Sequence, residues 1–259
     1  HIDIDPAEIG KNISVHYPLK GDVKSILSEL GSRVSKQDRT EWIEKIKEYK
    51  RLNPLKYSDN DGKLRPQYII ERIYEITEGE AIITTEVGQN QIWAAQYYKF
   101  SYPRQFISSG GLGTMGYGLG ACIGAQIARP DKRVINIAGD GSFRMNCNEL
   151  ATAVEYKLPI IIALLNNGVL GMVRQWQELF YGGRFSCTTI DRGTDFKALA
   201  EAYGAIGINV NRTEQVDEAL QKAMDSKDRP VVINFEIDCD EKVFPIVPPG
   251  APIDELIME

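Results

Sequence analysis

Apolar and polar positions fall in blocks along this chain, and the repeat within each block switches between helix-like and strand-like spacing. From residue 64 the switching is regular. Pro66 suits a first helical turn, and Ile69, Ile70, Ile73 and Ile76 follow at helical spacing. AIITTEV (81–87) reads as a strand, with a helix expected near 90–98. QFISS (105–109) is a weaker strand, followed by a Gly/Ala-rich helix over 114–128. RVINIA (133–138), NELATAVEY (148–156) and PIIIALLN (159–166) continue as strand, helix and strand, and a helix is expected around VRQWQELF (173–180). Thr194 is placed to cap a helix with Phe196, Leu199, Ala200 and Tyr203 on one face, and Gly204 stops it. AIGINV (205–210), TEQVDEALQKAMDS (213–226) and PVVINFEI (230–237) complete the series. Six strands, mostly apolar on both faces and separated by helices, predict an α/β fold: a doubly wound, six-stranded, mainly parallel sheet with helices on both faces.

The first 62 residues read differently. HIDID is strand-like, ISVHY (13–17) is a second short strand, and GDVKSILSEL (21–30) is a helix, so residues 1–30 resemble the end of a second α/β domain. Ser35 can cap a helix with Trp42, Ile43, Ile46 and Tyr49 on one side, ended by Asn53-Pro54 and followed by the loop SDNDGK. This reading divides the chain into 1–30, a linker with a helix at 31–62, the main domain at 63–240 and a Pro-rich tail at 241–259. A strand at the very first residue suggests part of a longer protein, or a chain from which an N-terminal segment was trimmed.

Composition narrows the chemistry. A net charge of −6 argues against nucleic-acid or anionic-membrane partners. The longest apolar run, Ile160 to Leu165, is far below a membrane span. Nothing at the start of the chain resembles a signal peptide. Cys122, Cys147, Cys187 and Cys239 show no C-x-x-C spacing; they read as core thiols in a reducing compartment, the alternative being one disulfide. A cytoplasmic location is therefore expected. With two histidines, a zinc site or a Ser-His-Asp triad has little to draw on.

Two strand ends carry the chemistry. The first ends in Gly139-Asp140-Gly141-Ser142, the next in Asn166-Asn167-Gly168. Asp140 and Asn167 are 27 residues apart, about one strand–helix–strand unit, so both reach one point above the sheet. A carboxylate, an amide oxygen and a carbonyl from the loop 168–170 make a hard, all-oxygen set suited to Mg²⁺. Backbone N–H groups at Gly141 and Ser142 suit a phosphate. A competing pattern is present. Gly111-Leu112-Gly113-Thr114-Met115-Gly116 fits G-x-G-x-x-G, with Asp140 ending the next strand 24 residues later. Its preceding segment is a poor buried strand, and it leaves the Asn-Asn strand end unexplained.

GDGS followed by NN resembles the thiamine-diphosphate motif, and the upstream half, Ile123-Gly124 through Pro130 to Ile135-x-Ile137-x-Gly139, fits too. SGGLGTMGYGLGACIGAQIARP, SFRMNCNEL and NNGVLGMVRQWQELFYGGRFSCTT make the chain similar to the acetolactate synthase (acetohydroxyacid synthase) large catalytic subunits over nearly its whole length. The resemblance implies thiamine diphosphate, Mg²⁺ and condensation of pyruvate with pyruvate or 2-ketobutyrate, with loss of CO₂. It implies metal ligation by Asp140, Asn167 and the Val169 carbonyl. Val87, Gly88, Gln89, Asn90, Gly113, Gly139, Gly141 and Ser142 would cradle the cofactor, Met115 would wedge between its rings, and Leu170, Gly171 and Met172 would cover it. Asn90 stands where many members have histidine, and Gly168-Val169-Leu170 departs from an acidic version. Met172 and Trp176 would line the substrate pocket. The activating glutamate would lie in an N-terminal domain outside this chain, so this stretch alone would be inactive. A structural FAD is implied, with Asp3, Ile4, Asp5 and Asp22 as candidates, as are a homodimer or tetramer and a small regulatory subunit. Alternatives are another thiamine-diphosphate enzyme (a pyruvate oxidase or keto-acid decarboxylase) or a non-catalytic binding module of the same fold.

Overall fold

A computed structural model describes residues 1–57, 62–190 and 193–258. Two compact units result, His1–Leu55 and Lys56–Glu259. Most of the SDNDGK loop lies outside the described residues.

In the first unit, β1 (Ile2–Asp3) pairs in parallel with β2 (Leu19–Lys20). The second strand is therefore not ISVHY. Ile13 and Tyr17 are exposed, so that alternation has nothing to pack on, and pairing begins only beyond Pro18. Asp22 accepts a hydrogen bond from Ser25 N and caps α1 (Val23–Arg33). α2 (Thr40–Leu52) starts five residues after Ser35, because Asp38, not Ser35, takes the N–H and hydroxyl of Thr40.

The second unit is a six-stranded, all-parallel sheet. Its strands are β3 (Ile82–Thr85), β4 (Phe106–Ile107), β5 (Val134–Gly139), β6 (Ile161–Asn166), β7 (Ile206–Val210) and β8 (Val231–Glu236), in spatial order β4-β3-β5-β6-β8-β7. β3, β5, β6 and β8 are buried on both faces, which is why β5, β6 and β8 are near-continuous apolar runs, while β3 buries Thr84 and Thr85 beside its isoleucines. One core lies between the sheet and α3 (Pro66–Ile76), α4 (Gln89–Tyr97) and α10 (Val216–Asp225). On the opposite face, α5 (Tyr117–Ala128), α6 (Asp140–Asn146), α7 (Leu150–Glu155) and α9 (Phe196–Ala202) enclose the other. α8 (Gly171–Tyr181) follows the Asn-Asn strand end.

Several boundaries shift for local reasons. Gly116, left-handed at φ 85°, delays α5 to Tyr117. Asp195, not Thr194, caps α9, accepting from Ala198 N at 3.0 Å. The helix expected at 148–156 is a 3₁₀ turn, Cys147–Glu149, continued by α7, and α6 precedes it straight from Asp140. Because β4 and β5 flank β3 on opposite sides, the chain direction reverses there, and the crevice beyond the β3 and β5 ends is where such sheets bind ligands.

Candidate functional site

Three neighbouring strands converge on that crevice. β3 ends at Thr85 and runs into Glu86-Val87-Gly88, β5 delivers Gly139-Asp140, and β6 delivers Asn166-Asn167. Gly139 and Leu165 are register partners, so Asp140 and Asn167 leave adjacent strands nearly side by side. A cavity of about 230 Å³ opens there, and all the residues nominated for thiamine diphosphate or metal lie in its wall. Trp93, Leu165 and Val173 line it too. A second cavity of about 590 Å³ lies along α8, bounded by Trp176, Gln177, Tyr181 and Arg184. Met172 and Val173 belong to both walls.

Asp140 is 1% exposed, and its Oδ2 has no hydrogen-bond partner. Burial pushes its pKa up to about 6, against the opposing pull of Arg144 and nearby backbone N–H groups. An unpartnered buried carboxylate oxygen is costly unless a cation completes it. Asn167 Oδ1 accepts from Val169 N at 3.1 Å on the same loop. The set therefore fits a hard divalent cation chemically. The loop is held from outside: Val169 bridges Thr189, Leu170 N donates to Thr188 O at 2.8 Å, and Ile190 N to Gly168 O at 2.9 Å. Arg144 Nη1 braces the Ile190 carbonyl at 2.9 Å. A Cβ on Gly141 would meet Ile190 Cδ1 and Leu170 Cδ2 at 2.9 Å, so the glycine lets this loop close over the GDGS corner.

Glu86 resolves the competing glycine pattern. It is fully buried, and its carboxylate accepts from Gly116 N at 2.9 Å, Leu119 N at 3.0 Å and the Ser142 hydroxyl at 2.7 Å. Two N–H groups at the α5 N-terminus, of the kind a dinucleotide pyrophosphate would need, are thus already bonded to the Glu86 carboxyl group. A Cβ on Gly118 would lie 2.6 Å from Glu86 N, so that glycine serves helix–strand approach. Ser142 directs its hydroxyl at Glu86.

Residues 86–235 match the family described as "Thiamine pyrophosphate enzyme, C-terminal TPP binding domain". The chain belongs to this family. Relatives matched along the whole chain are named for one activity. It is 39% identical to "Acetolactate synthase large subunit" of Haemophilus influenzae, with all of this chain and 46% of the relative covered. It is 44% identical to "Acetolactate synthase" of Mycobacterium leprae (99% of this chain, 43% of the relative). It is 45% identical to "Acetolactate synthase large subunit" of Corynebacterium glutamicum (97% and 42%). The chain spans less than half the length of the curated relatives it matches.

In this thiamine pyrophosphate domain the side chains of Gln89 and Asn90 face inward to the protein as well as lining the cavity. Asn90 Nδ2 donates to the carbonyls of Glu86 and Ile137, tying β3 to β5, and its Oδ1 lies beside Gly88 and Gly139. Gln89 bonds Asn167, Gln175 and the Glu241 carbonyl. Met115 is half-buried in the Gly113–Gly116 turn. Trp176 is 39% exposed and makes an edge contact with Phe180 at 6.0 Å. Sequence reasoning missed Glu86 and Gln175. The signal for Glu86 was available, since it ends an apolar strand just as Asp140 does.

Asp3, Ile4, Asp5 and Asp22 lie in the first unit, where their contacts are local. Asp3 accepts from Asp5 N, Asp5 from Ala7 N, Asp22 caps α1, and Ile4 is exposed. All four cysteines are free. Only Cys122 is a core thiol, its pKa pushed up to about 12 by burial; Cys147 and Cys239 are half-buried and Cys187 is exposed. Among the described residues no helix is long and apolar enough to cross a membrane.

Proposed function

We propose that this chain is the cofactor-binding part of an acetolactate synthase large subunit, and that Asp140, Asn167 and the Val169 carbonyl hold Mg²⁺ against the diphosphate of thiamine. Bound thiamine diphosphate supplies the electron sink for losing CO₂ from one 2-keto acid and passing the remaining two-carbon unit to another. The chain's own residues bind, orient and exclude water. Gly141 and Ser142 offer backbone N–H groups to phosphate. Leu170 and Ile190 cover the corner. Met172, shared by both cavities, joins the cofactor wall to an α8 pocket where Trp176 selects between pyruvate and 2-ketobutyrate as acceptor. The observation that carries this reading is the buried, unpartnered Asp140 Oδ2 beside Asn167 and Val169 in a glycine-lined cavity.

In the assembled enzyme the activating glutamate comes from outside this chain. FAD sits near Asp3, Ile4, Asp5 and Asp22 in a domain that residues 1–30 complete. The large subunit forms a homodimer or tetramer in the cytoplasm and takes a small regulatory partner. Calorimetry tests the site: thiamine diphosphate binds with Mg²⁺, and Asp140→Ala abolishes that binding. Unchanged binding in the variant refutes the assignment. Product analysis of the full-length protein tests the activity, acetolactate being expected and acetate or an aldehyde pointing to another thiamine enzyme. Trp176→Leu should shift products from acetohydroxybutyrate toward acetolactate; an unchanged ratio removes Trp176 from the acceptor pocket.

A further inference from the structure

A primary carboxamide carries oxygen on one side and nitrogen on the other, and only the oxygen can face a cation. The orientation of Asn167 is held from both sides of its carboxamide, the oxygen by the Val169 N–H and the nitrogen by a relay that starts at the backbone. Val243 can donate only through its N–H and accept only through its carbonyl. Gln175 answers both, Oε1 accepting from Val243 N at 2.9 Å and Nε2 donating to Val243 O at 2.9 Å. Its oxygen is then the acceptor for the next link. Gln89 Nε2 donates to Gln175 Oε1 at 3.0 Å and to the Glu241 carbonyl at 2.8 Å. With its nitrogen spent on two acceptors, Gln89 turns Oε1 toward Asn167, whose Nδ2 donates to it at 3.3 Å. Asn167 Oδ1 is left on the other side, beside the Val169 N–H. Gln175 is 2% exposed and Gln89 4%, so water does not compete for these bonds. A Cβ on Gly171 would come within 2.0 Å of Gln89 Oε1 and 2.7 Å of Asn167 Nδ2, so that glycine leaves the relay its path. The far end is anchored by ion pairs from Arg65 to Glu241 and from Arg174 to Asp240.

We propose that Gln175 is a positioning residue for the metal site: through Gln89 it sets which way round the Asn167 carboxamide faces, so that oxygen, not nitrogen, meets the divalent cation. Residues 241–243, beyond the last strand, thereby take part in metal binding without touching the metal. This inference rests on Asp140, Asn167 and Val169 being the Mg²⁺ ligands.

The experiment is a Mg²⁺ titration of the full-length protein at fixed thiamine diphosphate, read by quenching of tryptophan fluorescence, Trp93 being in the cavity wall. Gln175→Met keeps the bulk and removes the amide; it should raise the half-saturating Mg²⁺ concentration about ten-fold or more. In an Asn167→Asp background the same change should add nothing, because a carboxylate presents oxygen whichever way it turns. Gln175→Glu, which keeps the shape but opposes an oxygen to the Val243 carbonyl, should behave likewise if Gln175→Met folds poorly. Equal losses with and without the Asn167→Asp change would reduce Gln175 to packing and overturn the proposal. So would an unchanged titration in Gln175→Met while Asp140→Ala abolishes binding. Wild-type binding indifferent to Mg²⁺ would instead remove the ligand assignment, and this inference with it.

Discussion

α2 and α3 look alike as patterns and behave oppositely as structures. Both carry large apolar residues at helical spacing. In α3, Ile69, Ile70 and Ile73 are fully buried against the sheet. In α2, Trp42, Ile43 and Tyr49 are about half exposed and no residue is buried. Periodicity therefore predicts that a stripe exists, not what it packs on. In α3 a parallel sheet supplies the partner; in the first unit two residues per strand do not.

Three pairs of substitutions sharpen this contrast, in descending order of effect. Ile73→Ala in α3 should cost about 2–5 kcal/mol in chemical denaturation, whereas Ile46→Ala in α2 should stay within about 1 kcal/mol. Comparable losses would mean that α2 is packed in solution. Asp140→Asn should stabilise the metal-free protein by up to about 3 kcal/mol at pH 7–8. The sign follows from the folded-state pKa of about 6 lying above the ordinary carboxyl value of 3.8. Below about pH 4 both states are protonated and the variant gains nothing; the penalty on wild type builds as pH rises through 6. Asp38 of the first unit provides the opposite case, since the Thr40 hydroxyl and N–H lower its pKa, and Asp38→Asn should not stabilise. Gly31→Ala, smallest of the three, should stabilise by about 0.5–1 kcal/mol, because Gly31 lies within α1 with nothing near its missing Cβ. Gly171→Ala should do the reverse, since its Cβ would collide with Gln89.

Most of the sheet was legible because burial on both faces forces apolar runs, and the GDGS and NN strand ends were legible because a carboxylate and an amide terminate such runs. Glu86 was passed over although the same rule applied, since its partners Gly116, Leu119 and Ser142 come from separate segments that only the fold brings together. The role of Gln175 was illegible for a stronger reason. Its neighbour Trp176 carried the recognisable motif, and the backbone that orients Gln175 is 68 residues downstream. At Thr194 the kind of capping residue was right and its position off by one, because Asp195 takes the Ala198 N–H; at Ser35 no cap forms, because α2 begins only at Thr40, whose N–H Asp38 takes.

Glu86 has a practical corollary. Glycine spacing alone cannot separate a nucleotide-binding turn from one that its own protein has already filled. A template for recognising such turns should ask what the preceding strand puts at its tip: an acidic side chain there marks the seat as taken, and a small or apolar one leaves it open to an outside guest.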